Sequence, residues 1–157
     1  MDKILEEKVG NEWNPIVYVD RTGRPAYPDF VKEVKHLKLE LVGPTDFDVR
    51  KIELWLHSKQ VNGCAIGTEI YEDLLTKKLL EGCLGFADLQ VIQERGIGFF
   101  RKYFFGKSVF GWKSVVLDCR GRLNVPYLFE GGDEVELLWR WLDDDFYSHN
   151  PALRFAN

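Results

Sequence analysis

Residues 123–142 read LNVPYLFEGGDEVELLWRWL, and this stretch decides the fold class. Two runs rich in valine, leucine and aromatic residues, Leu123–Phe129 and Glu134–Leu142, flank the glycine-containing turn 130–133. Such residues favour the pleated surface of a sheet, and short turns with glycine join antiparallel neighbours. The stretch therefore predicts a β-hairpin.

A third strand-like run, Ser108–Leu117, precedes this hairpin across the turn 118–121. We expect the three runs to form a C-terminal antiparallel meander. Pro126 lies inside the middle run and cannot donate to a hydrogen-bond ladder, so it predicts a bulge or a break there. Trp139 and Trp141 share one face of the last run, which is either buried in the core or, where exposed, an interface.

Another pair of strands is predicted nearer the N-terminus. Apolar and polar residues alternate over Leu37–Leu41 and again over Ile52–Leu56, on either side of the turn-rich segment 43–46. A period of two is typical of a strand with one buried face. These segments therefore predict an N-terminal β-hairpin.

Two helices are predicted between the hairpin and the meander. The first has Thr68 as its N-cap, apolar residues at helical spacing, and Gly82 as its stop. The second begins at Asp88 and ends at Gly96, whereas Phe99–Phe105 has no clean period and is either helix or strand. The predicted fold class is α+β, an antiparallel sheet of hairpin and meander packed on two central helices.

Length and composition predict one folded domain. The chain has 157 residues, of which 45% are hydrophobic and 14% aromatic, and domains cluster at roughly 100 to 150 residues. The sequence contains neither an internal repeat nor a linker long enough to separate two domains. We expect a single domain over residues 1–157, with residues 1–14 frayed.

Charge and cysteine content restrict the function classes. The formal net charge is −4, which argues against a protein that binds nucleic acid through a global positive field. The first residues have no apolar leader and no stretch is apolar enough to span a membrane. Three widely spaced cysteines, Cys64, Cys83 and Cys119, fit a reduced, cytoplasmic compartment.

The segment Phe99–Lys113 is the strongest local anomaly, because it combines seven aromatic residues with four cations and no acid. Three interpretations are open. The rings fill the core while the cations reach solvent, the segment recognises an acidic protein partner, or it holds single-stranded nucleic acid by stacking and phosphate contacts. The candidate binding residues are Arg101, Lys102, Phe104, Lys107, Trp112 and Lys113.

Catalytic and metal-binding patterns are weak. Cys119 stands beside Arg120, and Asp143 and Asp145 would share a face of an extended last strand, but no base or paired ligand spacing accompanies them. No metal or cofactor is predicted. A hydrolase built from distant residues is therefore the third hypothesis for function.

The leading hypothesis is a non-enzymatic protein-interaction module of the small inhibitor, immunity or adaptor type. The basic, aromatic segment Phe99–Lys113 is followed by the acidic region 130–145, and opposite charges suit electrostatic steering to a protein partner. The alternative is a module that binds single-stranded nucleic acid.

Overall fold

The structure of the protein is a computed structural model that describes residues 8–9 and 12–156. Residues 1–7 and 10–11, which make up most of the expected frayed segment, lie outside the described residues. Trp13 is described, and it packs edge-on against Phe99 with ring centroids 6.2 Å apart.

The described residues form four α-helices and thirteen short strands. The helices are α1 Ser58–Val61, α2 Gly67–Thr76, α3 Phe86–Glu94 and α4 Gly96–Phe104. The strands are β1 Lys8–Val9, β2 Glu12–Trp13, β3 Ile16–Tyr18, β4 Val31–Val34, β5 Asp46–Asp48, β6 Glu53–Trp55, β7 Cys64–Ile66, β8 Val109–Phe110, β9 Val116–Asp118, β10 Leu123–Gly131, β11 Glu134–Trp141, β12 Asp145–Tyr147 and β13 Ala152–Arg154. The fold is mixed α+β with antiparallel sheets, as expected.

A seven-stranded sheet organises the molecule in the order β4-β9-β10-β8-β13-β6, with β11 paired to the other edge of β10. All of its pairings are antiparallel except that of β13 with β8. Three further pairs, β1 with β2, β3 with β5, and β7 with β12, form separate two-stranded sheets.

The hairpin of β10 and β11 confirms the prediction for residues 123–142. The two strands pair in continuous register from Asn124 opposite Trp141 to Gly131 opposite Glu134. Gly132 has a φ of +67° and Asp133 a negative one, the arrangement of a type II′ turn with glycine at its first central position. Glycine is required there because other residues rarely adopt a positive φ.

Pro126 does not interrupt β10, so the predicted break falls elsewhere. The Pro126 carbonyl accepts from the Gly111 backbone N–H at 2.9 Å, while the Gly111 carbonyl accepts from Ser114 instead of from Pro126. The missing proline N–H thus costs no hydrogen bond. The break lies in the first meander run, which divides into β8, a 3-10 turn at Trp112–Ser114 and β9.

The predicted N-terminal hairpin is wrong. Leu37–Leu39 is a 3-10 turn, and β6 pairs with β13 near the C-terminus rather than with residues 37–41. The alternation is also inverted, since Glu40 is 6% exposed and Leu41 is 44% exposed. Glu40 is held inside by a hydrogen bond from the Tyr27 hydroxyl at 2.6 Å.

The two predicted central helices form, but with different bounds. The first ends at Thr76 rather than at Gly82, because Lys78 adopts a φ of +58° that closes the helix with hydrogen bonds back to Leu74 and Leu75, and the second begins at Phe86 rather than at Asp88. Helix α2 begins at Gly67, where a Cβ atom would lie 2.6 Å from the Leu142 carbonyl oxygen, so only glycine allows this close approach. Helix α3 ends before Gly96, whose φ of +87° reverses the chain into α4. The ambiguous segment Phe99–Phe105 is therefore mostly helical.

Buried residues form two hydrophobic clusters that meet at β10. Leu128 contributes to the cluster under α3 and α4, and Val125 contributes to the cluster under α2. The two tryptophans of β11 separate: Trp139 packs 5.2 Å from the Phe86 ring, whereas Trp141 is 42% exposed and lies under the Arg122 guanidinium. Trp139 is half-buried among aromatic rings, and Trp141 belongs to the surface.

Candidate protein-binding surface

The structure divides the six predicted binding residues into buried and surface groups. Phe104, Trp112 and Lys113 are each at most 2% exposed, so a partner cannot reach them in this conformation. Arg101 and Lys102 are exposed and Lys107 is half-buried. The six residues do not form one continuous surface. The rings of Phe104 and Trp112 fill the core, as the first of the three interpretations predicts.

Arg101 is engaged within the molecule. Its guanidinium donates to the Glu130 carboxylate at 2.6 and 2.9 Å and lies 3.9 Å from Asp133. This hydrogen bond holds the pKa of Glu130 below its ordinary value. Some of the predicted opposite charges therefore pair within the molecule, where they join the end of α4 to the turn of the β10–β11 hairpin.

Lys113 is part of the interior. Its ammonium donates to the Val42 carbonyl at 2.8 Å, and burial lowers its pKa, opposed by the nearby Asp88 and Glu40. Trp112 packs beside Tyr71 and Phe146. Both residues hold the core together.

Phe105 is exposed, although the sequence analysis did not include it among the candidate binding residues. Helix α4 ends at Phe104, whose carbonyl accepts from the Lys107 backbone N–H at 3.1 Å. Phe105 has φ −53° and ψ 131°, and Gly106 has φ +76°, which defines a type II turn. Phe105 sits at its first central position, and its side chain is held out from the helix end.

All eleven phenylalanines lie within residues 13–156. Phe105 is 73% exposed, whereas the other ten are buried or half-buried. A single exposed apolar side chain is common on protein surfaces, and it indicates an interface only as part of a larger apolar patch. The sequence signal was Gly106, because a glycine directly after a helix often marks a left-handed turn that leaves its neighbour outside.

A surface groove of about 380 Å³ lies between this turn and the β10–β11 hairpin. It is lined by Phe105, Gly106, Lys107, Ser108, Phe129, Glu130 and Gly132. The Phe129 ring lies 5.6 Å from that of Tyr127, and Leu138, 45% exposed, stands directly opposite Tyr127 on β11. The groove therefore continues into an apolar strip. We call the groove and this strip the Phe105 surface.

The cations in and near the Phe105 surface differ in availability. Lys107 lines the groove, and Lys102 lies on α4 three residues before Phe105. Within the described residues neither lysine makes an ion pair, whereas Arg101 pairs with Glu130, the acidic residue of the groove lining. An exposed ring beside unpaired ammonium groups is suited to a segment that carries both apolar and acidic side chains.

A buried polar network was missed by the sequence analysis. Arg21 pairs with Asp88 at 2.7 Å, with side chains 6% and 1% exposed, and Tyr27 donates to Glu40. Burial, followed by the hydrogen bond to Glu40, raises the pKa of Tyr27 well above its ordinary value, and burial raises that of Glu40. These groups come from separate parts of the chain, so no local sequence motif indicates their contacts. The Arg21–Asp88 pair fastens the loop before β4 to α3, and the Tyr27–Glu40 bond fastens the same loop to the end of the 3-10 turn at Leu37–Leu39.

The residues considered for hydrolysis are not assembled into a site. Asp143 and Asp145 lie in the exposed turn around the start of β12. Cys119 is exposed in the turn after β9, while burial raises the pKa of Cys83 to about 12. Over residues 8–9 and 12–156, no group of three histidine, cysteine or acidic side chains is arranged to hold a metal ion.

Comparisons with known proteins add no family, since no family model, curated protein or solved structure matches the chain. None of the described helices has the length and apolar character needed to cross a membrane.

Proposed function

We propose that the protein is a non-enzymatic protein-interaction module that binds its partner through the Phe105 surface. The observation that carries the proposal is the exposure of Phe105 on a glycine-defined turn, above a groove next to unpaired lysines. Aromatic side chains at the centre of an interface supply much of its binding energy. A turn that fixes the ring beforehand reduces the entropy lost on binding.

The proposed partner presents an apolar side chain to the groove and acidic side chains to Lys102 and Lys107. Such charges act mainly on the association rate and on specificity. The hypothesis of nucleic-acid binding has less support, because Phe104 and Trp112 are buried and two of the four predicted cations are paired or buried. Two remaining lysines would neutralise few phosphates.

Affinity capture from a native lysate tests this proposal. We expect the tagged protein to recover a protein partner in stoichiometric amount at low salt, and the double variant Lys102→Glu/Lys107→Glu to recover much less. The control Lys32→Glu/Lys38→Glu makes the same charge change at two exposed positions outside the Phe105 surface. Recovery of nucleic acid in place of protein, or equal recovery by both double variants, would contradict the proposal.

A further inference from the structure

Strand β11 leaves one of its edges unpaired within the described residues. It is eight residues long and pairs with β10 alone. An edge of this length presents backbone donors and acceptors to any strand that can align with it. This edge therefore needs its own explanation, although Leu138 at its midpoint also belongs to the apolar strip of the Phe105 surface.

The register identifies which backbone groups face outward. The Leu142 N–H donates to the Leu123 carbonyl, and hydrogen-bonded pairs alternate along an antiparallel ladder. Val135, Leu137, Trp139 and Trp141 therefore direct their N–H and C=O groups away from β10. The Gln93 side chain donates to the Val135 carbonyl, and the Asp144 N–H donates to that of Trp141. Among the described residues, the N–H and C=O groups of Leu137 and Trp139 have no hydrogen-bond partner.

The side chains of β11 around Leu137 and Trp139 are complementary to those of an identical antiparallel strand. Glu136, Leu138 and Arg140 share one face of β11, with Leu138 at the midpoint. If an identical strand aligns antiparallel about a two-fold axis at Leu138, each Leu137 faces Trp139 of the second copy and can exchange backbone hydrogen bonds with it. Glu136 then lies opposite Arg140 of the second copy, and Leu138 opposite its own equivalent.

Two of these side chains are exposed, and the third has a buried nitrogen without a hydrogen-bond partner. Leu138 is 45% exposed, and Glu136 is exposed. The Arg140 side chain is 28% exposed, lies 3.9 Å from Asp144 and stacks 5.2 Å from the Phe146 ring, while its buried Nε has no hydrogen-bond partner. Charges on edge strands usually repel a second strand. Here opposite charges placed symmetrically about Leu138 attract an antiparallel copy.

We propose that the protein forms a symmetric dimer in which β11 of two copies pair antiparallel about Leu138, making one continuous sheet. The interface is isologous, as in most dimers with two-fold symmetry. The non-hydrogen-bonded pairs across the axis include Leu138 with its equivalent, which brings their Cα atoms to about 4.5 Å. The inference does not depend on a partner in the groove beside Phe105, although the dimer covers Leu138 of the adjoining apolar strip.

Disulfide trapping tests the register in the full chain, with Cys64 and Cys119 replaced by serine. Under mild oxidation we expect Leu138→Cys to give a covalent dimer of twice 18.3 kDa, since Cα atoms about 4.5 to 6.8 Å apart can be bridged. The matched variants Glu136→Cys and Arg140→Cys place their thiols well apart in this register and should remain monomers. Crosslinking of all three alike, or of none, would overturn the proposal.

Charge reversal provides a second readout by sedimentation. Glu136→Lys and Arg140→Glu should each move the monomer–dimer midpoint about tenfold or more to higher concentration, because each creates like-charge pairs. Mixed together they should form a heterodimer, in which both cross-strand pairs are opposite in charge again. The exposed control Glu81→Lys should leave the midpoint unchanged. Failure of the mixture to dimerise better than either variant, or a monomeric wild type at high concentration, would overturn the proposal.

Discussion

Asp88→Ala should lower the free energy of unfolding by about 3–5 kcal/mol, the cost of breaking a buried ion pair by removing one partner. Asp88 is 1% exposed, and its carboxylate accepts from Arg21 at 2.7 Å and from the Gly85 N–H at 2.8 Å. The substitution leaves the Arg21 guanidinium buried without its counter-ion and removes the cap of α3. Denaturant unfolding measures the loss.

The matched control for Asp88 is Asp73→Ala. Asp73 also pairs with a cation, Lys77 at 3.0 Å, but on the surface of α2, where such pairs contribute about 0.3–0.5 kcal/mol. A loss of less than about 1 kcal/mol for Asp88→Ala, or equal losses for both variants, would contradict a structural role for the buried network.

Phe104→Ala and Phe105→Ala should differ strongly in their effect on the free energy of unfolding, although the residues are neighbours. Phe104 is 2% exposed and packs 5.6 Å from Phe100, so its truncation should cost about 3–5 kcal/mol. Phe105 is 73% exposed, so its truncation should change stability by no more than about 0.5 kcal/mol. Chemical denaturation of both variants measures the difference. A comparable loss in both would show that the turn does not hold Phe105 outside the core.

The sequence predicts the β10–β11 hairpin because its determinants are local. Alternating large residues and a glycine turn lie within residues 123–142. The same local reasoning predicted a wrong hairpin near the N-terminus, because β6 pairs with the distant β13 and Tyr27 holds Glu40 inside. The local spacing of apolar residues does not show which distant segment a strand pairs with.

The proposed Phe105 surface overlaps the segment that the sequence singled out, but it centres on a residue outside the predicted binding set. The density of rings and cations drew attention to Phe99–Lys113, yet a count of aromatic residues does not say which ones a helix buries. The end of α4 at Phe104 and the turn at Gly106 decide that Phe105 is outside. Likewise Arg21 and Asp88 meet across 67 positions of the chain, a distance over which no motif could connect them.

The affinity of the captured protein partner for Phe105→Ala tests the central claim most directly. We expect binding at least about 30-fold weaker than wild type, since truncating a central aromatic anchor costs about 2 kcal/mol or more. Tyr18→Ala is the control, because Tyr18 is 52% exposed and lies on β3, outside the Phe105 surface, and it should bind within about twofold of wild type. Equal affinities for wild type and Phe105→Ala would contradict the account.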